Sequence, residues 1–489
     1  MAEFSLRSTR HLHRATLVLA IWSLFAVKLR GQDTQFNLES QQPHIVTAPQ
    51  IADPSQARPD TRELLERLEK AEATIESLQQ QKSGQKSQVP PDVKSASAPT
   101  EKKPAWYEKL TIRGYAQVRF NEVLDEADPR FPAQLVGDSS VGDDQSFLIR
   151  RARLVFSGDV HEHLGIYLQP DFAVSIPGVN DAIEFAQIRD WYGDWYWDNH
   201  KEHRLRVGQS KIPYGWENMQ SSSNRIPLDR NDGLNSSQRN ERDLGVFYYW
   251  TPEPAQEFFK HVLDEGLKGS GNYGVFGLGV YNGQGGSLRE QNDNLHLVAR
   301  LTLPGCLPGG QLYEVGMQGY TGKYVVSTTP ISPLGVGAPV APASAAEGLI
   351  DQRLAWTFVY YPQPWGFQTE WNVGRGPSLN DAQDAVGVRS LSGGYVQTMV
   401  RLENDWGEFF PFLRYNYYRG GYKTERNSPY ASVDEFETGI EWQVNSAVEL
   451  VTAFTLSDRT NTSARSLANV PSYGQFEGSL LRTQLQFNY

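Results

Sequence analysis

The sequence predicts an all-β fold: a 16-stranded antiparallel transmembrane β-barrel, preceded by a short α-helical coiled coil. Three observations predict it. Side chains alternate apolar and polar from Trp106 to the C-terminus. The alternating segments form an even set of sixteen. The gaps between them alternate long and short, which puts long loops at one rim and short turns at the other, as in outer-membrane barrels. A water-soluble sandwich shares the alternation, but it has no reason to sort its loops by parity.

Composition excludes several classes. The 489 residues hold 46 Lys plus Arg against 57 Asp plus Glu, a net charge of -11. That argues against a global basic surface for nucleic acid. A single cysteine, Cys306, excludes an internal disulfide framework and a Cys-rich metal site. No run approaches the roughly 18–20 apolar residues of a spanning helix.

The N-terminal elements come first. Residues 1–30 read as a signal peptide: Arg7, Arg10 and Arg14 precede the apolar run 16–27, which is too short to span a bilayer. A core helix with basic flanks is the alternative. Residues 31–60 and 82–104 read as flexible linkers, rich in Gln, Pro, Ser and Lys. Between them, 61–81 carries Leu64, Leu68, Ala71, Ile75 and Leu78 at heptad spacing. So short a coiled coil is marginal alone and needs an attached oligomer. A solvated amphipathic helix is the alternative. The stalk is expected in the periplasm.

Residues 105–489 are the expected barrel domain. Strands are predicted near 110–120, 147–158, 163–174, 183–196, 203–211, 242–251, 271–281, 292–303, 311–320, 352–361, 366–374, 394–404, 408–419, 433–444, 448–458 and 478–489. The C-terminal segment is the clearest: Leu481, Thr483, Leu485, Phe487 and Tyr489 alternate with Arg482, Gln484, Gln486 and Asn488. The gap 252–270 breaks the parity rule. Its Phe258, Phe259, Val262 and Leu263 predict a short helix. Aromatics near strand ends, among them Trp191, Trp195, Trp197, Tyr248, Tyr249, Trp250, Tyr360, Tyr361, Tyr415, Tyr417 and Tyr418, suit an interfacial girdle.

Sixteen strands enclose a water-filled lumen, so a pore follows, and inward charges are expected to face water. With apolar residues toward lipid, Arg113, Arg119, Arg151, Arg153, Arg204, Arg206, Arg300, Arg353, Arg414 and Arg482 point inward. Guanidinium forks suit phosphate oxygens. Asp171, Glu314, Glu370, Glu403, Glu437 and Glu441 also face in, so a transverse field competes with a purely anionic path; arginines that pair with wall carboxylates and merely line water are the alternative. Arg150 falls on the opposite face and requires a rim position or a bulge. The gap 212–241 carries Arg225, Arg230 and Arg239. It either folds into the barrel as a constriction loop or stays at the surface.

The runs Phe147-Leu-Ile-Arg-Arg-Ala-Arg-Leu-Val-Phe-Ser-Gly158, Leu205-Arg-Val-Gly-Gln-Ser-Lys-Ile-Pro-Tyr-Gly215, Asn240-Glu-Arg-Asp-Leu-Gly-Val246 and Gly277-Leu-Gly-Val-Tyr-Asn-Gly283 resemble the phosphate-selective porin O and P family over about 105–489. The resemblance implies a trimeric outer-membrane porin with inward arginines, a lysine cluster and an infolded third loop. By position, Arg151, Arg153, Arg204, Arg206 and Lys211 line the path. The dense lysine cluster is missing here, so the resemblance supports a porin more than it supports phosphate. The ending Phe487-Asn-Tyr489 resembles a recognition signal for barrel-assembly machinery.

The partners expected are therefore outer-membrane lipid, two further copies of the chain, the assembly machinery and small anions such as phosphate, with no nucleic acid. His161, His163, His200 and His203 lack a defined third metal ligand and read as turn histidines. No catalytic residue, cofactor or metal is assigned, and no nucleophile, phosphate-loop or dinucleotide pattern occurs. A structural barrel tethered to the cell wall by the stalk is the alternative function.

Overall fold

Alternating side chains commit each segment to one wall of a sheet, and the sheet closes on itself. The computed structural model describes residues 105–127, 135, 141, 146–175, 184–286, 288–331, 339–461 and 474–489. The signal, linker and coiled-coil assignments lie outside the described residues.

The strands are β1 (Thr111–Glu126), β2 (Ser146–His161), β3 (Leu164–Ser175), β4 (Glu184–Tyr196), β5 (His203–Lys211), β6 (Arg242–Trp250), β7 (Phe276–Tyr281) and β8 (His296–Cys306). They continue as β9 (Leu312–Tyr324), β10 (Leu349–Tyr360), β11 (Trp365–Leu379), β12 (Val386–Val400, resuming after Arg401 as Leu402–Asn404), β13 (Gly407–Gly421), β14 (Tyr430–Asn445), β15 (Val448–Asn461) and β16 (Gly474–Asn488). Each pairs antiparallel with its sequence neighbours. The circle closes where β1 meets β16, from Tyr115↔Asn488 to Glu126↔Gly478. The fold is a closed 16-stranded antiparallel barrel, so among the described residues the sheet has no free edge.

The outer wall is apolar: Leu297, Leu301 and Leu303 of β8, and Leu354, Trp356 and Phe358 of β10, are exposed there. Trp191, Trp195, Trp250, Trp365 and Trp406 stand exposed, near the ends of strands that run to the short turns. Tyr249, Tyr361 and Tyr418 are not part of this girdle. All three are buried, because strand parity turns Tyr249 and Tyr418 inward and Tyr361 packs beneath a helix.

Two further departures, and the outcome of one alternative, have simple causes. β11 and β12 stay paired out to Leu379↔Val386, so the long loop expected at 375–393 shrinks to 380–385. β7 starts at Phe276, and 271–275 belongs to the connection before it. The β1–β2 ladder passes from Gln117↔Arg151 to Val118↔Ile149 and so skips over Arg150. This arginine is a bulge residue, the second of the two options the alternation left open.

The gap 252–270 holds the expected helix, α3 (Glu253–Asp264). Two short helices, α1 (Trp216–Met219) and α2 (Asp232–Asn235), interrupt the loop 212–241.

Candidate functional site: a filled lumen with an arginine wall

The loop 212–241 turns into the barrel. Gly215 makes the turn at φ 81°, a conformation open to glycine. The next two amides, of Trp216 and Glu217, donate to the Glu370 carboxylate on β11 at 2.6 and 3.1 Å. A wall acid therefore takes the free N–H groups that start α1. Asn231 caps α2 by accepting from Gly233 N at 2.9 Å, and its amide donates to Gly394 O on β12 at 2.8 Å. Gly233 lies so close to Gly393 that a Cβ there would sit 3.1 Å from the Gly393 carbonyl carbon.

Ion pairs fasten the loop to distant strands. Arg414 of β13 grips Glu217 at 2.6 and 3.1 Å. Arg459 of β15 grips Asp232 at 2.6 Å. Arg119 of β1 reaches Asp229 at 3.3 Å, and Arg482 of β16 also pairs with Asp229. Burial alone would raise the Glu217 carboxyl, but the charge and hydrogen bonds of Arg414 outweigh it and hold it below the usual carboxylate range.

The inward arginines therefore do not face open water, contrary to expectation. Arg119, Arg300 and Arg414 are fully buried. Arg151 donates to Gln117 at 2.7 Å. Arg153 donates to Asp171 at 2.7 Å and to Tyr115 Oη at 2.8 Å. Arg206 holds Asp194 at 2.7 and 2.8 Å and stacks 3.7 Å over Tyr192. Arg204 lies 4.7 Å over Tyr249. Arg300 meets Glu314 at 3.1 Å, and Arg353 donates to Ser236 Oγ of the loop at 2.7 Å. Lys211 donates to the carbonyls of Met219 and Gln220 at 2.9 and 2.8 Å. Arg353 and Lys211 find their partners on the loop, whereas Arg151, Arg153, Arg206 and Arg300 are paired by acids and amides of the wall itself.

Three residues stand apart. Arg113 is exposed near the short-turn end of β1, and Glu403 is exposed on the extension of β12, not in the lumen. Arg239 is exposed and donates to Thr424 O at 3.3 Å. Of the other loop arginines, Arg225 turns back on the carbonyls of Pro227 and Leu228 at 2.9 and 2.7 Å, and Arg230 pairs with Glu241 at 2.8 Å. At the seam, the Gly114 and Tyr489 backbones exchange hydrogen bonds of 2.6 and 3.0 Å, and Phe487 is exposed on the outer wall.

Sequence reasoning missed part of the cationic wall. Arg242 pairs with Asp190 at 2.8 Å and Glu241 at 3.0 Å. Arg189 sits where the β3–β4 register slips between Gln169↔Asp190 and Pro170↔Ile188, among Arg153, Arg242, Glu241 and Asp171. The signal was hidden because a bulge shifts side-chain parity by one. Around the start and end of the loop, Arg150, Arg151, Arg153, Arg189, Arg225, Arg230, Arg242 and Lys211 outnumber Asp171, Asp190, Glu217, Asp229, Glu241 and Asp243.

The histidines do not converge. His200 pairs with Glu253, and His203 Nδ1 bonds Tyr248 Oη at 2.8 Å. Among the described residues no group of His, Cys, Asp and Glu side chains is placed to hold a metal ion.

The profile of the phosphate-selective porin O and P family matches residues 131–489. The chain belongs to this family. It is thus a porin of the outer membrane, built on the barrel described above. No curated protein matches it. Solved structures similar to it include the outer membrane channel DcaP of Acinetobacter baumannii, at 12% identity over 78% of this chain and 97% of that one, TM-score 0.46. OmpT of Vibrio cholerae in its trimer form follows at 10% identity over 78% and 99%, TM-score 0.44. An anion-selective porin from Comamonas acidovorans stands at 10% identity over 78% and 97%, TM-score 0.42.

Proposed function

We propose that this porin passes small anions, phosphate among them, along the arginine-rich side of its lumen. The observation that carries the reading is the cationic surplus where loop 212–241 leaves and rejoins the wall. Fixed positive charge at a constriction concentrates anions and repels cations. In this reading Arg150 and Arg189, both at bulges, join Arg151, Arg153, Arg230 and Lys211 as path residues. The ring of Arg119, Arg300, Arg353 and Arg414 holds the loop in place instead. Assembly as a homotrimer through the heptad-spaced Leu64, Leu68, Ala71, Ile75 and Leu78 belongs to the same proposal, as does a periplasmic stalk.

Titrating phosphate against a chloride current in a planar bilayer tests the solute. Block of the current by phosphate supports the arginine path. A current indifferent to phosphate reduces the assignment to a general porin.

A second reading has its own support. The burial of nearly every inward side chain on β8 to β16 suits a plugged structural barrel. Absence of any conductance, in any variant, favours that reading.

A further inference from the structure

A second segment enters the lumen from the opposite rim. The connection 251–275 joins β6 to β7 on the short-turn side. There α3 lies across the barrel mouth. Ala255, Phe259 and Val262 form its buried face, and Phe258 packs on Tyr361 with ring centroids 6.1 Å apart. Beyond α3 the chain dips inward, and Leu267, Lys268, Gly269 and Ser270 are buried.

There it meets loop 212–241, which came from the other side. Gln220 donates to Lys268 O at 2.6 Å, and Asn224 donates to Gly269 O at 2.8 Å. Trp216 of the loop shares one apolar cluster with Val262 and Leu267. The Lys268 ammonium pairs with Glu441 on β14 and lies 4.7 Å over the Phe410 ring. The two insertions interlock, and a solute crossing the barrel must pass them both.

We infer that the 251–275 segment is a hinged lid, and that the channel conducts when it withdraws while loop 212–241 stays. The inference rests on the channel reading above. Three features separate the lid from the loop. Buried ion pairs spread over β1, β13, β15 and β16 hold the loop, whereas among the described residues the inner part of the lid has one, Lys268 to Glu441. Gly266, Gly271 and Gly274 all sit at positive φ, 67°, 96° and 78°, so the inner stretch is punctuated by residues with the widest backbone freedom. Finally, a cavity of about 370 Å³ opens beside α3, bordered by His261, Glu265, Pro362 and Arg401. That flank of the helix faces an open cleft.

Charge adds a handle. From 253 to 268 the lid carries Glu253, Glu257, Asp264 and Glu265 against Lys260 and Lys268. Its net negative charge makes it respond to a transmembrane potential. A potential negative on the long-loop side drives the lid outward.

The test compares single-channel records of the full chain with two variants, both in a Cys306→Ser background. In the first, residues 253–270 are replaced by a short Gly-Ser turn, with folding checked by heat-modifiable gel mobility. In the second, Lys268→Cys and Glu441→Cys remove the latch, and a reducible bifunctional thiol reagent then ties the two positions. If the open state holds about 10% of the unmodified population or less, the deletion raises the mean current about tenfold or more. The double cysteine variant opens more than the parent, closes on cross-linking and reopens on reduction. A folded deletion variant that conducts like the parent, or cross-linking that leaves the current unchanged, overturns the lid. If the folded parent and the folded deletion variant both fail to conduct, the channel reading itself falls.

Discussion

Arg414 on β13 and Glu217 on α1 lie far apart in the chain, yet the guanidinium holds both carboxylate oxygens, at 2.6 and 3.1 Å. Both groups are fully buried. This fork pins the infolded loop to the far wall, and the ring of Tyr395 covers it at 4.0 Å. Breaking a buried pair from one side leaves an uncompensated charge at a cost of about 3–5 kcal/mol. Glu217→Gln and Arg414→Met should each lower the urea midpoint of barrel unfolding and enlarge single-channel conductance as the loop loosens. Glu217→Leu with Arg414→Met should recover most of the stability without restoring the small conductance. Additive losses in the double variant would mean that the two groups act separately.

Selectivity should follow the bulge arginines more than the buried ring. A unit charge about 8 Å from an ion in water contributes about 0.5 kcal/mol, which is about a twofold change in partitioning. Arg150→Gln and Arg189→Gln should each reduce the anion-to-cation permeability ratio by about that factor, read from the reversal potential. Arg300→Met should alter stability more than selectivity.

Much of the barrel was legible because lipid imposes period 2 on every strand. The C-terminal alternation from Leu481 to Tyr489 placed β16. The filling of the lumen was not legible. An inward Arg119 or Arg414 looks the same in the sequence whether it faces water or a loop carboxylate. Phe258, Phe259 and Val262 announced α3 by helical spacing, but the following Leu267-Lys268-Gly269 offers a single apolar residue and no period. Its burial is a tertiary fact. Arg150 was flagged as out of phase, whereas Arg189 was passed over, because parity reads only as far as the next bulge.

The rim tie of the lid should depend on pH. Its exposed contact is His200 with Glu253, beside Glu202 and Asp198. The hydrogen bond and charge of Glu253 raise the His200 pKa above its usual value, with Glu202 and Asp198 adding to the effect. A raised histidine stabilises the closed lid fully below its unperturbed pKa, and the gain is lost as pH rises through the raised value. Open probability should therefore climb modestly with pH across the histidine range, since exposed pairs are weak. His200→Gln should flatten that slope. A slope unchanged in the variant would remove His200 from the account of gating.

Closure of the barrel should depend on its last residue. Tyr489 exchanges two backbone hydrogen bonds with Gly114, and its hydroxyl donates to Arg153 O at 3.3 Å. Deleting Tyr489 removes both the seam bonds and the aromatic end proposed as an assembly signal. The fraction of heat-modifiable barrel recovered from outer membranes should fall sharply, and Phe487→Ala should lower it less. Full recovery of the deletion variant would remove the C-terminus from the account of assembly.

The most direct test of the account is the reversal potential of the reconstituted full chain across a salt gradient. The account predicts brief openings whose reversal potential has the sign of anion selectivity, moving toward zero in the Arg150→Gln and Arg189→Gln variants. Openings selective for cations, unmoved by either substitution, would contradict it.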